Sequence, residues 1–196
     1  MENLLREMRE YAEKHHVPII RDQAAKILCR IAAEKKPSRI LEIGTAIGYS
    51  ALLLADNSCS DTCITTLEID EERIKTAKSF WARSPYQNNI HLLNGDAAET
   101  LKTLSGQFDF VFIDAAKGQY PRYLHAVLPL ISTHGLIVSD NVLFRGYVES
   151  PEKPPRRYKT IVKRLREYIK EISESKQWST KIYYEGDGLA VSEKQF

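Results

Sequence analysis

The sequence predicts an α/β fold, a doubly wound and mostly parallel seven-stranded sheet with helices on both faces. Short apolar runs of strand length alternate with segments of helical spacing. The first run passes through a glycine turn straight into a helix. Acidic residues then stand at the ends of several runs, where an open sheet of this kind places its ligands.

In chain order, residues 3–12 set Leu4, Leu5, Met8, Tyr11 and Ala12 on one face of a helix, and Pro18 is expected to end that segment. The strand-length runs are Ile40–Ile43, Cys63–Ile69, Ile90–Leu93, Phe110–Ile113 and Leu136–Val138. Between them the spacing predicts helices over Tyr49–Ala55, Glu71–Trp81, Ala97–Leu104 and Tyr120–Ile131. Pro151, Pro154 and Pro155 mark a loop, and Pro155 is placed to open a long helix. Trp178–Tyr184 and Gly188–Val191 read as two late strands joined by a Glu-Gly-Asp-Gly turn. With 196 residues and no internal repeat, residues 1–196 are expected to form one domain.

The glycine turn Gly44-Thr45-Ala46-Ile47-Gly48 leads into Tyr49 and Ser50, and Glu68 ends the next strand, where an acidic side chain can hold a ribose diol. Ala46 stands where a dinucleotide fingerprint needs its second glycine. That disfavours an NAD-dependent oxidoreductase and suits S-adenosylmethionine, which carries a ribose and no phosphate. After the third strand, Asp96 can accept from an adenine amino group while Ala97 leaves room for the ring. Asp96 can equally cap the following helix.

Asp114 ends the fourth strand, and Asp140 with Asn141 ends the fifth. Two carboxylates and an amide are an all-oxygen donor set, suited to Mg²⁺ or another hard divalent cation. Zinc is disfavoured, because His15, His16, His91, His125 and His134 are scattered and Cys59 with Cys63 completes no ligand set.

Composition narrows the setting. Net charge is +2, the opening Met1–Glu7 turns charged at once, and no apolar run is long enough to span a bilayer. Three cysteines form no even framework, so a cytoplasmic enzyme with no membrane partner is expected. Charge is uneven, however: from Glu152 through Lys170 there are eight basic residues and two acidic. Lys159, Lys163, Arg166 and Lys170 share one helical face there, and Ile161, Val162, Leu165, Ile169 and Ile172 share the apolar one. Such a basic face can hold phosphates.

Leu41-Glu42-Ile43-Gly44-Thr45, Asp114-Ala115-Ala116-Lys117, Asp140-Asn141-Val142-Leu143 and Gly186-Asp187-Gly188 together resemble the cation-dependent O-methyltransferases, the catechol and caffeoyl-coenzyme A group. Tyr11–Ile19, Gly44–Ser50, Asp114–Tyr120 and Asp140–Gly146 are similar to the branch of that group that methylates 5-hydroxyuridine in bacterial tRNA. The resemblance implies a Rossmann-like class I methyltransferase fold and a homodimer. It also implies transfer of a methyl group from S-adenosylmethionine to the wobble uridine of a tRNA anticodon, or to a small catechol-type acceptor. It carries cofactor contacts onto Ile20, Gly44, Ser50, Glu68, Asp96, Ala97 and Asp114, and cation ligands onto Asp114, Asp140 and Asn141. Lys117, with Asp114, takes the catalytic role as general base or charge stabiliser.

Overall fold

The computed structural model describes all residues 1–196. Seven strands, β1 (Arg39–Ile43), β2 (Cys63–Glu68), β3 (Ile90–Asn94), β4 (Phe108–Ile113), β5 (Ile131–Asp140), β6 (Trp178–Tyr183) and β7 (Leu189–Lys194), form one sheet in the order β3-β2-β1-β4-β5-β7-β6. The first five are mutually parallel. β7 runs antiparallel to both β5 and β6, so the sheet is mixed rather than parallel throughout. The short Glu185–Gly188 connection forces this, because a tight turn can join only antiparallel neighbours.

Helices cover both faces. α1 (Glu2–Lys14), α2 (Asp22–Lys35), α3 (Tyr49–Asn57) and α4 (Glu71–Trp81) pack with Ile40, Ile64, Phe110 and Val138 on one side. On the other, α5 (Ala97–Thr100), α6 (Tyr120–Val127) and α7 (Lys159–Glu174) pack with Leu41, Leu67, Val111 and Ile137. Adjacent strand residues thus feed opposite cores. This is why the strands read as continuous apolar runs instead of alternating ones.

Local chemistry sets several ends. Asp70 caps α4, accepting from the backbone N–H of Glu72 and Arg73 at 3.0 and 3.1 Å. Pro121 sits in the first turn of α6, where its missing N–H costs nothing. Other expectations are corrected. α1 ends at Lys14, before Pro18 can act on it. The expected Ala97–Leu104 helix becomes a single α turn followed by a 3-10 turn over Leu101–Thr103. α6 stops at Val127, and Ile131 instead opens β5, because burial against β4 claims its side chain. α2 was not anticipated. Its buried Ala24, Ala25, Leu28, Ile31 and Ala32 have helical spacing, masked in the sequence by exposed charges between them. A 3-10 turn at Arg156–Tyr158 follows Pro155 and leads into α7.

Arg166 is the clearest departure on α7. Its guanidinium donates to the carbonyls of Val148, Tyr147 and Ser150 at 2.9, 3.0 and 2.7 Å. It pins the loop after β5 to the helix and is not a free phosphate contact. No helix is long and apolar enough to cross a membrane.

Candidate active site

The carboxyl ends of β1, β2, β4 and β5 open into one cleft of about 520 Å³. Ile20, Gly44, Ser50, Glu68, Asp96, Ala97, Asp114, Lys117 and Asn141 all line it. Asp140 stands behind that wall, 3% exposed. The sheet register explains the gathering. Ile43 pairs with Ile113 and Ile113 with Ser139, so the next residues, Gly44, Asp114 and Asp140, fall side by side at the edge.

Gly44 is required by contact as well as by conformation. Its φ is +100°, and a Cβ there would lie 2.4 Å from the Asp114 carbonyl oxygen. Gly48 caps α3 at φ +80° beneath Trp81, whose indole N–H donates to the Gly48 carbonyl at 3.1 Å. Between these glycines the turn is held by Glu68. One carboxylate oxygen accepts from Ala46 N at 2.9 Å; the other accepts from Ile69 N and Asp70 N at 2.9 and 3.0 Å. Three backbone donors leave the carboxylate with acceptor capacity still open toward the cleft. Asp96 is exposed and caps α5 through Glu99 N at 3.2 Å, so its capping role is present in the fold.

Glu42 was not singled out from the sequence, although a charged residue inside an otherwise apolar strand is a signal. It is fully buried. One oxygen accepts from the Thr66 hydroxyl at 2.5 Å, and that hydroxyl also meets Thr45 Oγ1 at 2.5 Å. The other oxygen has no partner in the protein. Burial pushes the carboxyl up to about 7, the Ser50 and Thr66 hydroxyls beside it pull it back, and Asp114 and Glu68 raise it further. In the unfolded chain it ionises near 4.5, so between about pH 4.5 and 7 the folded state binds the extra proton. This stabilisation is full below pH 4.5 and is lost as pH rises through 7. Glu42→Gln is therefore expected to lose less stability than the wild type between pH 5 and 8, read as urea midpoints across that range. Parallel pH profiles would refute the assignment.

At the β4–β5 edge, Lys117 Nζ lies 2.6 Å from Asp114 Oδ1, with both side chains largely buried. The Tyr120 hydroxyl sits between the carbonyls of Ile113 and Asp140 at 3.2 and 2.9 Å and ties the strand ends together. Burial pushes its phenol well above the ordinary range, so it remains a neutral donor. Asp140 is also pushed up, to about 7, by burial first and then by the charge of Asp114, with Lys117 opposing. Asp140 Oδ1 accepts from Asn141 N at 2.8 Å, and Asn141 takes a left-handed φ of 56°. The site thus holds two acidic groups in a low-dielectric place where they repel. A hard cation would relieve that repulsion, and the oxygen donors present fit one. No three residues among His, Cys, Asp and Glu converge anywhere in the chain, so any such ion would be held by two carboxylates and the Asn141 amide, with further positions open.

An open α/β sheet with a glycine turn that carries Ala46 in place of a second glycine, an acidic residue ending β2 and oxygen donors at the β4–β5 edge defines the class of Rossmann-like proteins that take a nucleoside-bearing ligand at the strand ends. The chain belongs to the O-methyltransferase family, whose model matches residues 1–195. It is 30% identical over 156 residues to a caffeoyl-CoA O-methyltransferase of Stellaria longipes, covering 76% of this chain and 65% of that one. It is 34% identical over 125 residues to a catechol O-methyltransferase of Mycobacterium tuberculosis, covering 63% and 57%. The chain thus spans less than two thirds of either relative. The crystal structure of an O-methyltransferase from Bacillus cereus in complex with SAH superposes with a TM-score of 0.87 at 25% identity, covering 98% of this chain and 91% of that one.

Proposed function

We propose that the protein is an S-adenosylmethionine-dependent O-methyltransferase that uses a hard divalent cation, Mg²⁺ in the first instance, at Asp114, Asp140 and Asn141. The observation that carries this is the convergence of the glycine turn, Glu68, Asp114 and Asn141 on a single cleft, with Asp140 buried beside Asp114 at the same sheet edge. Ile20 and Ser50 flank the methionine portion, Glu68 takes the ribose diol, and Asp96 and Ala97 border the adenine. The cation, when bound, lowers the pKa of the acceptor hydroxyl and orients it. Lys117, whose ammonium donates to Asp114 at 2.6 Å, would steady the resulting anion, and in its neutral amine form would accept the hydroxyl proton.

Chelation at such a site favours an acceptor with two adjacent oxygens. A 5-hydroxyuracil offers its 5-hydroxyl and 4-carbonyl, and the finer proposal is 5-hydroxyuridine at the tRNA wobble position, giving 5-methoxyuridine. The locally basic stretch beyond β5 supports that choice. The second reading, a small catechol or caffeoyl-CoA type acceptor, is favoured by what the two curated relatives are named for.

The test is methyl transfer from labelled S-adenosylmethionine to tRNA bearing 5-hydroxyuridine and to a catechol panel, with and without EDTA. Cation-dependent labelling of the tRNA alone selects the first reading and of the catechols alone the second; labelling of neither refutes the activity. Lys117→Ala is expected to cut turnover by about 10²-fold with cofactor affinity changed little. Wild-type turnover in that variant would remove Lys117 from the chemistry.

A further inference from the structure

Most cations around the basic stretch already have partners within the fold. On α7, Lys163 and Arg164 lie 3.8 and 2.8 Å from Glu167, and Lys170 lies 3.9 Å from Glu174. In the polar hollow beside Gly118, Arg122 pairs with Glu99 at 2.8 Å and His125 with Glu171 at 2.9 Å. Arg166 is held by the three loop carbonyls. The stretch from Arg145 to Lys159 differs. Arg145, Lys153, Arg156, Arg157 and Lys159 are exposed and form no ion pair, and the two acidic residues there, Glu149 and Glu152, engage none of them.

Two of these cations are organised by one ring. The Arg145 and Arg157 guanidinium carbons sit 5.5 and 4.6 Å from the centroid of Tyr158. Arg145 Nη1 also donates to the Tyr158 hydroxyl at 3.2 Å. Phe144 and Tyr147 brace the same ring, with centroids at 5.3 and 5.8 Å. The loop reaches this arrangement through left-handed φ values at Asn141, Phe144 and Arg145. Asp187 holds it there, accepting from Arg145 N at 3.3 Å through its side chain and from Leu143 N at 2.9 Å through its carbonyl, while Arg21 pairs with the same carboxylate at 3.2 Å. The loop starts at Asn141, on the cleft wall, and Arg145 N is held by Asp187, whose charge reaches Asp140. The arginine pair is thus tethered to the β5 side of the site without lining the cleft itself.

We propose that Arg145, Arg157 and Tyr158 form a phosphate-binding rim that seats the RNA strand carrying the acceptor nucleotide. The proposal rests on the O-methyltransferase reading and moves the RNA contact from the length of α7 to the mouth of the cleft. Two guanidiniums fixed around one ring without a counter-ion repel each other, and an anion between them removes that cost. Each keeps most of its five donors free, in a planar fork that matches phosphate oxygens. The partly exposed Phe144 and Tyr147 rings offer faces on which a neighbouring base can stack. Lys153, Arg156 and Lys159 extend the positive track beyond a single phosphate. A catechol has no group that would use it.

The test measures binding of a fluorescent stem-loop RNA with 5-hydroxyuridine in its loop, over a salt series, beside S-adenosylhomocysteine binding by calorimetry. R145E/R157E, with R145Q/R157Q as the milder pair, is expected to weaken RNA binding by about tenfold or more and to flatten the salt slope by about 1–2. S-adenosylhomocysteine affinity should hold, which shows the fold and cofactor cleft intact. K163E/K170E should change RNA binding by about twofold or less, since those lysines already face carboxylates. Unchanged RNA binding in both arginine pairs, or a larger loss in K163E/K170E, overturns the rim. Coenzyme A binding lost in the arginine pairs while RNA binding stays unchanged overturns RNA as the occupant. A wild type that methylates catechols but binds no RNA overturns the rim and leaves the methyltransferase reading standing. RNA binding lost as expected, in a protein that transfers no methyl group, upholds the rim and removes that reading.

Discussion

Asp140→Asn is expected to lower methyl transfer by on the order of 10³-fold while S-adenosylhomocysteine affinity stays within about twofold. The substitution is nearly isosteric, and its amide oxygen can still accept from Asn141 N, which the carboxylate does now at 2.8 Å. What it removes is one of two negative charges at the β4–β5 edge. A cation bound there would lose one of its two carboxylate ligands and much of its affinity. A cation supplies several kcal/mol of transition-state stabilisation, and about 1.4 kcal/mol is worth tenfold in rate, which sets the size of the effect. Asp140 lies behind the cleft wall rather than in it, so cofactor binding should be spared. Turnover measured across a Mg²⁺ titration checks this. Wild-type rates at all concentrations would refute Asp140 as a ligand. Without cation the variant should also be the more stable protein at pH 8. The wild-type carboxyl, pushed up to about 7 by burial and Asp114, must be held ionised there, whereas the amide need not be.

Glu68→Ala is expected to be the most damaging single change to the cofactor cleft, costing about 3 kcal/mol or more of stability and most of the cofactor affinity. Glu68 is 8% exposed and accepts from three backbone N–H groups, at Ala46, Ile69 and Asp70. Alanine would leave all three without a partner, each at about 1–3 kcal/mol where water cannot replace the carboxylate. Ala46 lies at the centre of the glycine turn, so the ligand-binding loop would lose its tether to β2. Glu68→Gln separates tether from charge, because glutamine retains one acceptor oxygen and turns an amide N–H₂ toward backbone donors. Its stability should fall between those of wild type and alanine variant. Chemical denaturation and S-adenosylhomocysteine calorimetry on the three proteins check the order, and equal stabilities would refute the tether.

Much of this architecture is encoded within short windows of the chain. β1 to β4, α4, the glycine turn and the carboxylates that end β4 and β5 are readable because strand-length apolar runs, turn glycines and caps depend on neighbours a few residues away. So is the excess of basic residues from Glu152 to Lys170, several of which the sequence places on one face of a helix. Other features depend on partners distant in sequence, and local patterns do not contain them. Glu42 becomes a buried, half-satisfied acid only because Thr66 and Ser50 pack against it. Leu128–Ile131 leaves the helical pattern because β4 offers Ile131 a pairing edge. α2 depends on packing against α3 for its apolar face to be worth burying.

The same divide governs the site. Which residues carry oxygen, and which glycines permit a tight turn, follow from composition and spacing alone. That Ser50, Glu68, Asp96, Asp114 and Asn141 share one cleft follows only from the crossing order β3-β2-β1-β4-β5, which brings five separate loops to one edge, and Ile20 joins them from the connection between α1 and α2. Charge is divided in the same way. The chain shows eight basic residues between Glu152 and Lys170, but only the folded arrangement decides which of them meet carboxylates or carbonyls and which stay free. Ion pairing falls off within a few ångströms, and those separations are set by tertiary packing rather than by distance along the chain.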